Sequence, residues 1–389
     1  MVASETIDAL LRDATEGGRI PGVVAAAAAP AGLFYQGAAG VRMLGRSEPM
    51  TADTVFAIAS MTKAVTAVAA MQLVEQGKLA LDQPAGDVVD GLRAPMVLEG
   101  FDEDGSARLR PARRPVTLRH LLTHTSGFSY DTWNLVLRRY AEQTGVPMPR
   151  TGMLASLNAP LLFDPGERWE YSISIDWAGR MVEAVSRERL DRYFHNHIFG
   201  PLGMDDTGYT PTPEQQARLA AMHRRKQDGS LEPLPAEERP EPEFFIGGGG
   251  LYSTAGDYLV FLRMLLAGGA LSGERILRPE TVALMGENHI GDLLVQPLRT
   301  AMPDLSNDVE LFPGMAKKWG LSFLINTEDS LNGRSAGSLA WAGLYNTYYW
   351  LDPKRQVAGV LMAQILPFGD TAVLDLFAHF ERAVYEGLY

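Results

Sequence analysis

The 389-residue sequence contains no cysteine. This absence excludes disulfide bonds, thiolate catalysis and metal sites with cysteine ligands. Lysine is scarce as well, since the chain has six lysines against 29 arginines. No run approaches 18 consecutive apolar residues, so no segment is predicted to span a membrane. The net charge of −12 argues against nucleic acid as a partner.

The composition that remains is that of an ordinary soluble globular protein, with 46% hydrophobic and 21% charged residues. The length suggests two or three domain-sized units, or one large composite. Residues 1–20 place charged side chains among apolar ones at helical spacing, and they contain no continuous apolar stretch before a small-residue cleavage site. These features indicate a cytoplasmic protein.

Strand-like runs occur near both ends of the chain, with helices and loops between them. Strands are predicted at residues 23–29, 33–37, 321–325, 338–342, 347–351 and 357–361, and helices at 4–16, 54–76, 117–124, 174–186, 255–266 and 371–385. The order is not the regular strand–helix alternation of a doubly wound sheet. We therefore expect an α/β (α+β) fold whose antiparallel sheet is built from both chain ends and flanked by helices.

The same order predicts two domains. Residues 1–58 and 315–389 would form a discontinuous α/β domain, and residues 59–314 a mainly helical domain with inserted loops. The active site is expected at their interface. The segment 228–243 is rich in proline and glutamate, and it is predicted to be a surface excursion.

One motif suggests nucleophilic catalysis. Ser60 and Lys63 form the only Ser-x-x-Lys in the chain, inside the apolar run 54–76. Side chains three residues apart on a helix share one face. Burial disfavours the ammonium form, and a neutral lysine can take the proton of a serine hydroxyl. The alternative is a helix-capping serine followed by an exposed lysine, but the apolar surroundings argue against it.

Two further segments could complete such a site. Tyr171 follows a turn and precedes the helix 174–186, where a tyrosine beside a lysine can act as general base and then as acid. The alternative is an ordinary packed tyrosine. The run 341–344, Trp-Ala-Gly-Leu, lies in a predicted strand, where a small residue before glycine allows close backbone approach. The Leu344 and Ser60 N–H groups could then form an oxyanion hole.

In this order and spacing, the three segments resemble those of the serine β-lactamase and penicillin-binding protein superfamily. They are most similar to those of the family VIII carboxylesterases, which share the class C β-lactamase fold. Residues 119–127, 199–204 and 248–255 match further motifs of the family. The resemblance implies that Ser60 is acylated, that Lys63 and Tyr171 activate it, and that the Ser60 and Leu344 amides bind the oxyanion.

The departures from the β-lactamase pattern bear on the substrate. Ile173 stands where those enzymes usually have asparagine, and Trp341 stands where they have lysine or histidine. A pocket without that cation should favour neutral acyl groups over carboxylated β-lactams. We expect Trp341, Gly343 and Tyr345 to contact the substrate, Tyr345 because it directly follows the oxyanion strand.

No cofactor or metal ion is expected. His120 and His124 have i, i+4 spacing but lack the glutamate of H-E-x-x-H, and the glycine run 247–250 lacks the Gly-Lys-Ser/Thr of a phosphate loop. No serine lies in G-x-S-x-G, which excludes the α/β-hydrolase elbow.

The resulting hypothesis is a serine carboxylesterase that hydrolyses small-molecule esters of short acyl chains. The alternatives are an acyltransferase of the same fold, a β-lactamase or D-amino-acid peptidase, and a non-catalytic binding protein. The intact set of Ser60, Lys63 and Tyr171 argues against the last of these.

Overall fold

A computed structural model describes residues 2–236 and 241–388. Within the predicted surface excursion 228–243, residues 237–240 lie outside the described residues, and 231–233 form a short strand that is half-buried except at Pro233. Among the described helices, none combines the length and the apolar character that crossing a bilayer requires.

The strands are short except in the main sheet. They are β1 (Gly22–Ala29), β2 (Gly32–Gly40), β3 (Phe56–Ala57), β4 (Met96–Phe101), β5 (Ala107–Pro111), β6 (His223–Arg225), β7 (Leu231–Pro233), β8 (Tyr252–Ser253), β9 (Ala270–Leu271), β10 (Glu274–Arg275), β11 (Lys317–Trp319), β12 (Leu324–Asn326), β13 (Leu339–Gly343), β14 (Thr347–Asp352), β15 (Val357–Met362) and β16 (Ile365–Leu366).

The α-helices lie mostly in the middle of the chain. They are α1 (Val2–Glu16), α2 (Thr62–Glu75), α3 (Leu118–Leu122), α4 (Leu135–Thr144), α5 (Ser174–Ser186), α6 (Leu190–Phe194), α7 (Gly200–Leu202), α8 (Pro213–Ala217), α9 (Ala255–Leu266), α10 (Pro279–Met285) and α11 (Thr371–Glu386). Short 3₁₀ turns lie at Ala59–Met61, Ala85–Asp87, Asp90–Leu92, Pro149–Thr151 and Leu154–Asn158, and a π-helical segment at His195–Phe199.

The main sheet joins the two ends of the chain. Its strand order is β11-β12-β13-β14-β15-β1-β2, and every neighbouring pair is antiparallel. The junction is the pairing of β1 with β15, where Val24 lies opposite Met362. The prediction of an antiparallel sheet built from both termini and flanked by helices is confirmed.

Helices cover both faces of this sheet. Tyr349 and Trp350 are neighbours in β14, so their side chains point to opposite faces. Tyr349 packs against Tyr258 of α9, with ring centroids 5.2 Å apart. Trp350 packs against Phe380 of α11 at 5.5 Å, and α1 packs against α11 on that side. The hydrophobic core therefore extends on both sides of β14.

The predicted helix 54–76 is wrong in its first third. Residues 56–57 form β3, which pairs with β8, and α2 begins only at Thr62. Ala59 between them has φ +43, a left-handed conformation that interrupts any helix starting before it. An apolar run cannot tell a buried strand from a buried helix, and the pairing with β8 decides between them. The helix end is as expected, since Gly77 follows it with φ +68.

Other differences are smaller. Residues 96–111 contain the β4–β5 hairpin, which the charged composition of this stretch hid. The helix expected at 117–124 is restricted to Leu118–Leu122, and Thr117 caps it by accepting a hydrogen bond from the His120 N–H. The two-domain division of the chain stays a prediction.

Candidate active site

Ser60 lies in the 3₁₀ turn that leads into α2, and Lys63 lies in the first turn of that helix. Every residue of α2 from Thr62 to Leu73 is buried, because the helix has no polar face, and Lys63 is 1% exposed. The Lys63 Nζ lies 3.2 Å from the Ser60 Oγ. The structure therefore brings together the two side chains that the Ser-x-x-Lys spacing predicted to be in contact.

Two further oxygen atoms surround the Lys63 Nζ. It donates to the Gly248 carbonyl oxygen at 2.7 Å, and it lies 3.1 Å from the Tyr130 hydroxyl. A carbonyl oxygen only accepts, so a neutral amine with two N–H groups must accept a hydrogen bond from either the Ser60 or the Tyr130 hydroxyl. The arrangement thus allows the Ser60 O–H to point at a basic nitrogen.

Tyr171 is placed differently from the expectation. Its ring lies against the Lys63 amino group, with Nζ 4.8 Å from the ring centroid. Its hydroxyl oxygen accepts a hydrogen bond from the Trp341 Nε1–H at 3.0 Å. Within residues 2–236 and 241–388, no hydrogen bond joins the Tyr171 hydroxyl to Ser60 or Lys63.

Tyr130 is the functional side chain that the sequence did not single out. Its ring packs beside that of Tyr171, with centroids 5.3 Å apart, and its hydroxyl contacts Lys63. Burial raises its pKa well above the ordinary value, and the charge of Asp176 adds to the effect. The hydroxyl is therefore protonated at neutral pH. Only its position shortly after the motif 119–127 could have drawn attention to it.

The predicted oxyanion donors lie at one cavity. β13 passes so close to the 3₁₀ turn that a Cβ on Gly343 would stand 2.3 Å from the Ile58 carbonyl oxygen. Leu344 directly follows this strand. Among the described residues, neither the Ser60 nor the Leu344 N–H donates a hydrogen bond within the chain. Two amides without an internal acceptor beside a nucleophile are what an oxyanion requires.

The cavity has a volume of about 120 Å³ and is mostly apolar and aromatic. Ser60, Tyr130, Trp133, Met148, Leu305, Leu344 and Tyr345 are among its lining residues, together with Arg150, Asp131 and the glycines 248–250. Tyr345 thus lies where a substrate-contacting residue was predicted. The Trp341 side chain and Gly343 are not among the lining residues, so their contact with the substrate stays a prediction.

Trp341 instead lies behind the cavity. Its side chain is buried, with its ring centroid 4.9 Å from that of Tyr171 and 4.7 Å from that of Trp319. Its indole N–H supplies an uncharged donor to the tyrosine oxygen. The tyrosine is therefore held by a neutral group at this position of the strand.

A second buried group stands behind Lys63. Asp176 in the first turn of α5 is fully buried, and its Oδ1 accepts from the Gly248 N–H at 2.6 Å. Burial raises its pKa from 3.8 to about 6, although the Lys63 charge and the Gly248 N–H act in the opposite direction. Its place in a predicted helix gave no hint of this contact.

The two histidines of the motif 119–127 have structural partners. The His120 Nδ1 accepts from the Thr117 N–H and completes the cap of α3. The buried His124 contacts the Ser172 hydroxyl through Nδ1 at 3.1 Å, and burial lowers its pKa well below the ordinary value. Neither acts as part of a metal cluster, since the described chain contains no grouping of three or more His, Asp or Glu side chains suited to a metal ion.

Comparison with known proteins identifies the family of the chain. The family model described as Beta-lactamase matches residues 7–383. The chain is 34% identical to monacolin J acid methylbutanoyltransferase of Aspergillus terreus, over 97% of this chain and 95% of that protein. It is 32% identical to lovastatin esterase of Penicillium rubens, over 97% and 98%. Simvastatin synthase from Aspergillus terreus, in its unliganded selenomethionyl form, superposes with a TM-score of 0.87 and 32% identity over 100% and 99% of the two chains. The chain belongs to the beta-lactamase family of serine-dependent enzymes.

Proposed function

We propose that the protein is a serine carboxylesterase that hydrolyses esters of short acyl chains through an acyl-Ser60 intermediate. The observation that carries the proposal is the contact between the Ser60 Oγ and the buried Lys63 Nζ at 3.2 Å. Ser60 lies at the wall of a mostly apolar cavity that Leu344 also lines. A relative named lovastatin esterase supports ester hydrolysis.

In the acylation step, the Ser60 proton moves to Lys63 as the Oγ attacks the ester carbonyl carbon. The oxyanion lies between the Ser60 and Leu344 N–H groups. Removing one such donor from an acyl-transfer enzyme costs about 10²–10³ in kcat, so this pair carries a large share of the catalysis. The C–O bond to the alcohol then breaks, and the leaving oxygen takes a proton.

We assign that last proton to Tyr171. Its oxygen accepts from the Trp341 indole, and in the described part of the chain its own O–H donates to no acceptor. The Tyr130 hydroxyl, in contrast, is engaged with Lys63. Water then attacks the acyl-enzyme and gives its proton to the Tyr171 phenolate, and the Lys63 ammonium returns its proton to the Ser60 Oγ as the acyl group leaves.

An acyltransferase is the second candidate. The relative at 34% identity is named a methylbutanoyltransferase, and the structural neighbour at TM-score 0.87 is a simvastatin synthase. Acylation of Ser60 is the same in both functions. They differ only in whether water or an alcohol takes the acyl group in the second step.

Replacing Ser60 with alanine tests the shared step. We expect turnover of p-nitrophenyl butyrate to fall by about 10⁴-fold or more, because the nucleophile is lost. The matched control is Ser47→Ala, since Ser47 is an exposed serine in the N-terminal part of the chain. A fluorophosphonate probe should label the wild type and Ser47→Ala but not Ser60→Ala. Substantial turnover by Ser60→Ala would refute the assignment.

The partition of the acyl-enzyme separates the two candidates. The wild type is given p-nitrophenyl butyrate with increasing concentrations of a small alcohol, and both butyrate and butyrate ester are measured. Hydrolysis as the main function predicts that butyrate remains the principal product. Butyrate ester as the principal product at millimolar alcohol would favour the acyltransferase.

A further inference from the structure

The hydrogen bonding of the buried Asp176 carboxylate differs from that expected of a purely structural residue. One carboxylate oxygen accepts from the Gly248 N–H, and the other has no hydrogen-bond partner among the described residues. Burying a carboxylate with an unpartnered oxygen is costly. An asparagine of the same shape could accept from Gly248 without burying a charge. The negative charge itself is therefore the property to be explained.

Gly248 connects this charge to the catalytic lysine. Its N–H donates to Asp176, and its carbonyl oxygen accepts from the Lys63 Nζ. A Cβ on Gly248 would stand 2.9 Å from the Asp176 Oδ1, 3.0 Å from the Lys63 Nζ and 3.0 Å from the Tyr130 hydroxyl. The carboxylate oxygen and the lysine nitrogen thus lie less than about 6 Å apart, since both approach the same point.

We propose that Asp176 is a positioning residue that acts through Lys63: its negative charge stabilises the ammonium group that forms when Ser60 loses its proton. The proposal rests on the proposed function. The proton leaves the Ser60 Oγ and binds the Lys63 Nζ, while Asp176 stays ionised throughout. Ser60, Lys63 and Asp176 form a series of nucleophile, base and charge partner, linked through the Gly248 backbone.

The surroundings leave Lys63 as the cation that faces Asp176. The titratable groups that interact directly with the carboxylate are Lys63 of α2, Tyr130 and Tyr209. The next groups interact with these three rather than with Asp176: His124 with Lys63, Tyr171 and Asp131 with Tyr130, and Glu183 of α5 and Asp191 of α6 with Tyr209. Burial keeps His124 neutral and keeps Tyr130 and Tyr209 protonated at neutral pH. Within residues 2–236 and 241–388, Lys63 is the cation whose charge acts on Asp176.

The sign of the pH dependence follows. The Asp176 pKa of about 6 means that the charge partner is present at pH 8 and is neutralised below pH 6. The rate of acylation should therefore fall as the pH is lowered through about 6. Without the carboxylate, protonation of Asp176 no longer contributes to this loss, and the ammonium form of Lys63 is less favoured. Both effects move the acid limb of an Asp176→Asn variant to lower pH.

The test is the second-order rate of Ser60 labelling by a fluorophosphonate, measured from pH 5 to 9 in the wild type and in Asp176→Asn. A unit charge within about 6 Å in a partly buried site corresponds to about a 100-fold change in rate. We expect the plateau rate of the variant to be at least tenfold lower and its acid limb to lie at lower pH. A smaller loss, or an acid limb that does not move, would overturn the proposal.

Asp257→Asn is the matched control. Asp257 on α9 is also largely buried with a pKa raised to about 6, but it accepts from Thr207 and the Asp206 N–H, and it contacts neither Lys63 nor the cavity. Its rate and acid limb should match the wild type. Urea unfolding checks that both variants are folded. Undiminished labelling of Ser60→Ala would refute the proposed function itself, whereas loss of labelling there with an unchanged Asp176→Asn profile would refute only the charge partner.

Discussion

The two tyrosines beside Lys63 contact it in different ways. The Tyr130 hydroxyl lies within hydrogen-bond distance of the Lys63 Nζ, whereas Tyr171 contacts the Nζ with the face of its ring. The Trp341 N–H occupies the Tyr171 oxygen and leaves its proton free to be donated. A hydroxyl whose proton is uncommitted is the better general acid, because no existing bond must first be broken.

Replacing each tyrosine with phenylalanine tests this difference. We expect Tyr171→Phe to lower kcat for p-nitrophenyl butyrate by about 100-fold or more, as loss of a general acid does. Tyr130→Phe should lower it by only about tenfold, since Lys63 keeps Ser60 and Gly248 as partners. Steady-state kinetics of both variants, with circular dichroism as a check of folding, gives the comparison. The reverse order of losses would transfer the acid role to Tyr130.

The Asp176 charge should lower stability at neutral pH. Its pKa is raised from 3.8 to about 6, so the fold favours the neutral carboxyl. The resulting stabilisation is complete below pH 3.8 and is lost as the pH rises through 6. Asp176→Asn does not titrate, so its stability relative to the wild type should rise across this window by about 3 kcal/mol.

Urea unfolding at pH 5 and at pH 8 measures the effect. The free energy of unfolding of Asp176→Asn, relative to that of the wild type, should be higher at pH 8 than at pH 5. Asp257→Asn should behave similarly, because its pKa is also raised to about 6. If the free energy of unfolding of Asp176→Asn, relative to the wild type, were the same at both pH values, ionisation of the buried carboxyl would not destabilise the fold as predicted.

At the scale of residues, Ser60 and Lys63 could be predicted because three positions of sequence bring them together. Tyr130 and Asp176 could not. Asp176 becomes a site residue only through Gly248, which is 72 positions away, and no local pattern records that contact. The same applies to Tyr130, which is 67 positions from Lys63.

Strand β13 determines the distance between the two oxyanion donors. The strand lies against the 3₁₀ turn of Ser60 because Gly343 presents no side chain to the Ile58 carbonyl oxygen. The same absent Cβ would stand 2.3 Å from the Thr347 Oγ1 of β14. Ile58 lies between β3 and the 3₁₀ turn, so its carbonyl oxygen cannot move without displacing the backbone that leads to Ser60.

Gly343→Ala should therefore separate the Leu344 amide from Ser60. A displacement of about 1 Å can cost about 100-fold in rate, and overpacking costs about 1–3 kcal/mol. We expect a kcat loss of that size for p-nitrophenyl butyrate and a lower free energy of unfolding. Gly32→Ala in β2 is the control, because a Cβ there would meet no heavy atom within 4 Å. Normal kcat in Gly343→Ala would show that β13 does not set the oxyanion geometry.

Elements were predictable where their own pattern decides them. Helices α5 and α9 have the bounds that the apolar spacing gave. The two-residue strands β3 and β8 were not predictable, since each exists only through the other, which lies almost 200 residues away. The start of α2 was misplaced for the same reason.

At the scale of the whole molecule, the site depends on both chain ends. Ser60 directly precedes α2 and follows β2 and β3 in the N-terminal part of the chain, whereas strand β13 lies near the C-terminus. The main sheet, which contains β13, is joined across the two chain ends by the pairing of β1 with β15. Helix α11 covers one face of this sheet. A substitution that weakens the packing of α11 should therefore also destabilise the site.

Phe380→Ala tests this dependence. Phe380 is fully buried between α11 and the sheet, against Trp350 and Tyr35. Its truncation should cost about 3–5 kcal/mol, whereas Leu331→Ala, at a side chain that is 98% exposed, should cost under about 0.5 kcal/mol. Urea unfolding is followed by tryptophan fluorescence and by fluorophosphonate labelling of Ser60. We expect Phe380→Ala to move both midpoints equally, because one sheet joins the ends of the chain. A labelling midpoint that stays at the wild-type value would show instead that the helical region around Ser60 unfolds independently.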